Sequence, residues 1–152
     1  EVKEKGINTA IETTGYADWA RLTEVLEYTD YVLYDLKQVD PALHKQGTGA
    51  DNSLILENLS KIAAMDVHLI IRIPLIPGFN MDTGSIKRMI KFLKQLNYPE
   101  INILPFHQLG SQKYVYLDKD YSLRDLKISP DSEVEDIRRL LEENGFKTTI
   151  GG

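Results

Sequence analysis

Apolar residues fall along this chain in two alternating rhythms. Residues 7–13, 31–37, 67–74 and 100–106 are short runs carrying isoleucine, leucine, valine and tyrosine, the signature of strands. Between them apolar positions return at three- and four-residue spacing. Trp19, Leu22, Val25 and Leu26 form one stripe, Leu54, Ile55, Leu59 and Ile62 with Asn58 a second, and Ile86, Met89, Ile90 and Leu93 a third. Each stripe is the face by which a helix covers a sheet. Asp51-Asn52-Ser53 and Asp82-Thr83-Gly84 supply N-caps for the second and third helices, and Pro130-Asp131-Ser132 opens a fourth that ends near Asn144-Gly145. Residues 146–150 predict a last short strand. Residues 108–129 carry no sustained period and predict a long surface excursion, with its tyrosines as packing residues.

The order β-α-β-α-β-α-β predicts an α/β fold with a parallel sheet and right-handed crossovers, as in a barrel or a doubly wound sheet. The 152 residues, 42% hydrophobic and 27% charged, show neither repeats nor low-complexity stretches, so residues 1–152 read as a single domain. A complete eight-unit barrel takes about 250 residues. Four units and a tail therefore predict part of one.

Strand parity turns this pattern into a candidate site. Side chains alternate along a strand, so Leu33, Asp35 and Lys37 share one face while Val32, Tyr34 and Leu36 share the other. The second face is apolar and belongs against the helices. The first ends in a carboxylate and an ammonium, which places them at the mouth, where strand C-termini carry active sites. By the same count His68, Ile70, Arg72 and Pro74 share a face opposite Leu69, Ile71 and Ile73, so Arg72 points inward. Glu12 closes the first strand and His107 lies just past the fourth. Read structurally, Glu12, Asp35, Lys37 and Arg72 would be a buried charge network closing the core, at the cost of desolvating four ions; read functionally, their gathering at one edge is a binding site. His107 alone reads as a structural histidine, and His44 and His68 carry less signal still. Pro74-Leu75-Ile76-Pro77-Gly78 ends the third strand abruptly and shapes a mouth loop; no glycine pattern long enough for a phosphate cradle is present.

Composition removes several classes of function. A net charge of −5 offers no basic excess for phosphates, so no nucleic-acid partner is expected. No apolar run approaches the roughly 18 residues of a membrane span, and the first ten residues hold no hydrophobic signal region. No membrane partner and a cytoplasmic location are expected. The cysteine count is 0, so the chain's own residues form no disulfide, thiolate zinc site or cysteine-ligated iron–sulfur cluster.

Taken in order, Glu12-Thr13-Thr14-Gly15, Tyr34-Asp35-Leu36-Lys37, His44 with Thr48-Gly49 and Asn52, the run from Ile71 through Arg72 to Pro77-Gly78, Leu104-Pro105-Phe106-His107-Gln108-Leu109-Gly110 and the closing Ile150-Gly151-Gly152 resemble the pyruvate formate-lyase activating enzymes and related glycyl-radical-enzyme activases. The resemblance runs from about Gly6 to Gly152. It implies a partial (β/α) TIM-like barrel of the radical S-adenosylmethionine (SAM) type, truncated here at its N-terminus. In that family a four-iron, four-sulfur cluster held by a Cys-x-x-x-Cys-x-x-Cys loop cleaves SAM reductively. The resulting 5′-deoxyadenosyl radical takes a hydrogen from a glycine of a partner such as pyruvate formate-lyase, with an electron donor of flavodoxin or ferredoxin type. The resemblance implies that Lys37, Arg72, His107 and Asp35 contact SAM. It also implies that Glu12, Thr13 and Asp35 lie in or beside a small monovalent-cation site.

The chain departs from the family in having neither the cysteine loop nor the Gly-Gly-Glu-Pro segment that meets the SAM amino group. Glu12-Thr13-Thr14-Gly15 stands where many members have Asp-Thr-Cys-Gly, and Asn80-Met81-Asp82 where Asn-Asp is commoner. Inactivity of the chain alone is therefore the expectation. Two other readings stay open at this point: a cluster-free decarboxylase or aldolase using Asp35 and Lys37 as an acid/base pair or Lys37 as a Schiff-base amine, and a non-enzymatic fragment that binds a protein or a nucleotide. If the first strand lacks an upstream neighbour, its edge over 7–13 is expected to drive self-association.

Overall fold

A computed structural model describes residues 3–151, so Gly152 of the closing motif lies outside the described residues. In chain order the elements are β1 (Ala10–Thr13), α1 (Trp19–Leu26), β2 (Tyr31–Asp35), α2 (Pro41–Thr48), α3 (Ser53–Ala63), β3 (His68–Leu75), α4 (Thr83–Gln95), β4 (Glu100–Pro105), α5 (Ser111–Tyr116), α6 (Asp131–Glu143) and β5 (Lys147–Ile150). The strands form one sheet in the order β1-β2-β3-β4-β5, every neighbouring pair parallel.

That order decides between the two architectures. A doubly wound sheet reverses its direction of strand addition so that helices cover both faces. Here spatial order equals chain order, and crossovers of a single hand then place every helix on the same face. The result is an α/β barrel wall, helices outside and a face left open inside: a partial TIM-type barrel. Burial follows parity. Val32, Tyr34, Leu36, Leu69, Ile71, Ile73 and Ile101 are at most 1% exposed beneath the helices. Their alternates Leu33, Asp35, Lys37, Ile70 and Arg72 are only half-buried, because the described residues put no second layer over them.

The helices depart from expectation in instructive ways. Leu22 and Leu26 of α1 are buried, but Val25 is 45% exposed, so the stripe is narrower than its spacing predicts. Trp19 is half-buried, with the Lys61 ammonium 4.9 Å over its ring. α2 has no apolar stripe and escapes a periodicity reading; its ends are what define it. Asp40 caps the first turn by accepting from the N–H groups of Ala42 and Leu43, Pro41 fits the first position, and Gly49 closes the last turn in the left-handed conformation. β1 is shorter than the expected 7–13, since Ile7 and Asn8 are exposed and the Thr9 N–H bonds the Asp30 carboxylate at 2.8 Å. The excursion is not structureless: it opens with a 3-10 turn (Gln108–Gly110) and α5. The Gln108 amide staples it by donating to the carbonyls of Leu123, Arg124 and Leu126. Of its tyrosines, Tyr114 and Tyr121 pack as a tilted pair with ring centroids 4.8 Å apart, whereas Tyr116 is 80% exposed and departs from the packing role expected of it.

The turn from β1 to α1 is fixed by two buried side chains from other elements. The Tyr34 hydroxyl donates to the Ile55 carbonyl at 2.6 Å, and Asn58 Nδ2 donates to the carbonyls of Gly15 and Ala17, both at 2.8 Å. Asn58 thus sits in the apolar stripe of α3 because it is a tether. Gly15 adopts φ +69°, and a Cβ there would stand 1.7 Å from the Tyr34 hydroxyl oxygen. Gly78 also has a positive φ, +75°, but nothing lies within 4 Å of its missing Cβ. Gly78→Ala should therefore cost about 1 kcal/mol, the left-handed backbone penalty alone. Gly15→Ala should cost roughly 2–4 kcal/mol, because overpacking against Tyr34 is added to that penalty. Urea denaturation of both variants checks this, and equal losses would remove the Tyr34 contact from the account.

Candidate functional site

Register brings the polar strand ends together. Asp35 pairs directly with Arg72 across β2 and β3, Arg72 with Asn102 across β3 and β4, and Asn102 with Thr149 across β4 and β5. These four side chains share parity and form one polar layer on the open face. Arg72 Nε donates to Asp35 Oδ1 at 2.8 Å. Its two terminal nitrogens reach Glu12, Nη1 to Oε1 at 3.1 Å and Nη2 to Oε2 at 3.0 Å. Lys37 Nζ lies 3.6 Å from the other Asp35 oxygen, Oδ2. The order along the mouth is Glu12–Arg72–Asp35–Lys37, alternating in sign.

The four ions differ in how far they have left water. The Arg72 side chain is 11% exposed, Asp35 23%, Lys37 29% and Glu12 68%. This is neither a sealed charge cluster nor a row of solvated surface groups. Both hydrogen bonds and the charge of Arg72 hold the Glu12 carboxyl below its ordinary range. Glu12 and Asp35 in turn raise Arg72, against the opposing effect of burial. Arg72 spends three of its five N–H groups on these acids, in the bidentate geometry that suits guanidinium and carboxylate. Lys37 makes a single longer contact and keeps donors for something else.

The remaining candidates are placed differently. Thr13 pairs with Tyr34 in the ladder, so its side chain has the opposite parity from Glu12, and its hydroxyl accepts from the Gly15 N–H at 2.9 Å. His107 is exposed at the start of the excursion, where its Nδ1 accepts from the Leu109 N–H at 3.3 Å. His44 is buried, with Nδ1 2.9 Å from the Ala50 carbonyl oxygen and 3.1 Å from the Thr48 hydroxyl, the setting of a structural histidine. Among the described residues no group of three or more His, Cys, Asp or Glu is arranged to hold a metal ion.

Beside Lys37 opens a cleft of about 530 Å³, walled by Leu43 and Thr48 of α2, by Ile76–Phe79 of the loop after β3, and by Tyr114, Leu123 and Leu126 of the excursion. Its volume lies within the range of small-ligand sites. The missed helix α2 and the aperiodic excursion are thus two of its walls. Asn102 was also overlooked by sequence reading; its parity with Leu104 was the available signal, but only the register sets it beside Arg72.

Comparison with known proteins bears on the family and the fold. No family model matches the chain. It is 40% identical over 152 residues to the trans-4-hydroxy-L-proline dehydratase activating enzyme of Clostridioides difficile, covering 99% of this chain and 50% of that protein. It is 34% identical over 147 residues to the pyruvate formate-lyase 2-activating enzyme of Escherichia coli, with 97% of this chain and 50% of that protein covered. The chain thus spans about half the length of the curated relatives it matches. The crystal structure of a domain of pyruvate-formate lyase-activating enzyme from Bacteroides vulgatus superposes with a TM-score of 0.80 at 31% identity, covering 99% of this chain and 84% of that one. Sequence, fold and the shared extent of the domain agree: the chain belongs to the glycyl-radical-enzyme activating enzymes, the radical SAM family of the pyruvate formate-lyase activating enzymes.

Proposed function

We propose that this chain binds SAM at the mouth formed by Glu12, Arg72, Asp35 and Lys37, and serves a glycyl-radical-enzyme activase that acts on a protein glycine. The observation that carries the reading is the half-desolvated array of alternating charge along the C-terminal halves of β1, β2 and β3 and just past β2. SAM fits such a set: its carboxylate calls for a cation with donors to spare, which is Lys37, and its ammonium and sulfonium call for carboxylates. Arg72, with Nε and both ends engaged, orders the two acids at the ligand's edge. His107 takes part at the adenosyl end, its Nε2 left for the ligand. A monovalent cation beside Glu12, Thr13 and Asp35 belongs to the same reading, with Arg72 sharing both carboxylates and Thr13, whose hydroxyl is turned to the other face, offering only backbone.

The residues of this chain do not fit a four-iron, four-sulfur cluster, since the cysteine count is 0 and no thiolate is on offer. Bound SAM supplies the 5′-deoxyadenosyl group that, in the activase reaction, becomes the hydrogen-abstracting radical. What this chain contributes is binding and orientation: Lys37 fixes the carboxylate end, and the polar layer keeps the open face wet enough for an ionic ligand. The partner in this reading is a glycyl-radical enzyme such as pyruvate formate-lyase, the electron donor is of flavodoxin or ferredoxin type, and the setting is the cytoplasm. Among the described residues no helix is long and apolar enough to cross a membrane. Family membership favours this reading over a cluster-free decarboxylase or aldolase and over a non-enzymatic binding fragment.

Calorimetric titration of SAM into the chain should give a saturable signal that Lys37→Ala weakens by about 1.5–3 kcal/mol, the worth of a charge-assisted contact. Unchanged affinity would take Lys37 out of the site. The chain taken through anaerobic iron and sulfide reconstitution should stay colourless and release no 5′-deoxyadenosine under reduction; stoichiometric bound iron with product would overturn its inactivity alone.

Self-association through β1 is part of the proposal, because β1 pairs with β2 on one side and ends the sheet on the other. The structure packs Ile11 against the core, so a charge placed there would test packing rather than the edge. Ala10 is the exposed neighbour and the better position. Light scattering at high concentration should show an oligomer that Ala10→Lys dissolves, and a monomer for both proteins would defeat the proposal.

A further inference from the structure

Behind Lys37 lies a cluster of buried polar side chains that the charge array does not use. Gln38, Asn52, Asn80 and Ser85 are each 0% exposed. Asn80 makes three bonds to backbone: Nδ2 donates to the carbonyls of Lys37 at 2.8 Å and Pro74 at 2.6 Å, and Oδ1 accepts from the Ile76 N–H at 2.8 Å. Gln38 Nε2 donates to the Phe79 carbonyl at 3.3 Å and the Ser85 hydroxyl at 3.1 Å, and its Oε1 accepts from the N–H groups of Val39 and Asp40. Asn52 Nδ2 donates to the Gln38 carbonyl at 3.0 Å.

The reason for the cluster is in the ladder. Leu36 donates its N–H to the Arg72 carbonyl at 2.9 Å, and the next donor on β3 would be the N–H of Pro74, which proline lacks. Strand pairing stops one residue short of Lys37. A carbonyl left there without a partner would cost a buried hydrogen bond and let the strand end drift. The bond lost at Pro74 is the one to the Leu36 carbonyl; beyond it the Asn80 amide holds the Lys37 and Pro74 carbonyls and so bridges the two strand ends where pairing has stopped, while its oxygen fixes the loop that walls the cleft.

We propose that Asn80 is the positioning residue for Lys37: its side-chain amide, in place of strand pairing, sets the Lys37 backbone so that the ammonium stays at Asp35 and at the cleft. Asn80 touches no ligand in this scheme and acts through Lys37. The placement of Lys37 stands on geometry alone; its consequence for ligand affinity rests on the SAM reading above.

Lysine ammonium groups carrying 13C-methyl labels give separate NMR signals, and the Lys37 signal is assigned by its loss in Lys37→Ala. In the folded chain that signal should move when Asp35→Asn removes its partner. In Asn80→Ala, with folding verified by circular dichroism, it should already sit at the position of a solvated lysine, and adding Asp35→Asn should move it no further. Asn80→Ser, also too short to span the two carbonyls, gives the same test should the alanine variant unfold. Tyr98→Phe, which loses a hydrogen bond to the Leu69 carbonyl on the N-terminal half of β3, serves as a destabilised control whose Lys37 signal should not shift. An unshifted Lys37 signal in a folded Asn80 variant overturns the proposal. In SAM titrations Asn80→Ala should weaken binding about tenfold when Lys37 is present and not at all in a Lys37→Ala background. A wild-type chain that fails to bind SAM would refute the ligand reading, and the Lys37 signal would still decide the role of Asn80.

Discussion

The register between β2 and β3 is the constraint on which both the core and the mouth depend. Asp35 stands opposite Arg72, and one position earlier Tyr34 stands opposite Ile71. A slip of one residue would carry Arg72 under the helices and turn Ile71 and Ile73 to the open face, because strand side chains alternate with a period of two. Burying an unpaired guanidinium costs several kcal/mol, and exposing two isoleucines adds to it. The same pairing that fills the core therefore also assembles the Glu12–Arg72–Asp35–Lys37 row. Only Lys37, beyond the last paired residue of β2, needs a further device, the Asn80 bridge.

Uniform strand order then decides what that row can do. With all crossovers landing on one side, the opposite face keeps half-buried polar groups that a doubly wound sheet would have covered. Two acids face two cations, so attraction for a ligand comes from where each charge stands and how many donors it has left. Arg72 has committed all three of its nitrogens to carboxylates, Lys37 makes one longer contact, and Glu12 is the most exposed of the four. That division of labour suits a ligand carrying both signs, such as the SAM of the family to which the chain belongs. The buried amides behind the mouth belong to the same logic, since proline in β3 ends the pairing with β2 and an asparagine then ties the two strand ends together through the Lys37 and Pro74 carbonyls.

Much of this was legible along the chain. The apolar stripes located α1, α3 and α4, the Pro130-Asp131-Ser132 start and Asn144-Gly145 end located α6, the alternation in 31–37 and 67–74 sorted inner from outer side chains, and Asp35, Lys37 and Arg72 were candidates from parity alone. Failures came where structure is set by something other than hydrophobic period. α2 has almost no apolar face and is defined by Asp40, Pro41 and Gly49 at its ends. Asn58 sits in an apolar stripe but serves as a tether for the β1–α1 turn, and Asn80 entered only through Asn80-Met81-Asp82, with nothing in its spacing to tie it to Lys37.

The sequence by itself determined which side of each strand is apolar and which is charged, because that depends only on neighbours two residues away. It also determined that no thiolate is available. Strand order, register and loop tethering were decided by the tertiary structure alone: they set Asp35 against Arg72 across 37 positions and Asn80 against Lys37 across 43. Local periodicity says nothing about such pairs, since the free energy that selects them comes from burying whole faces together and from pairing the backbone carbonyls where the strands end.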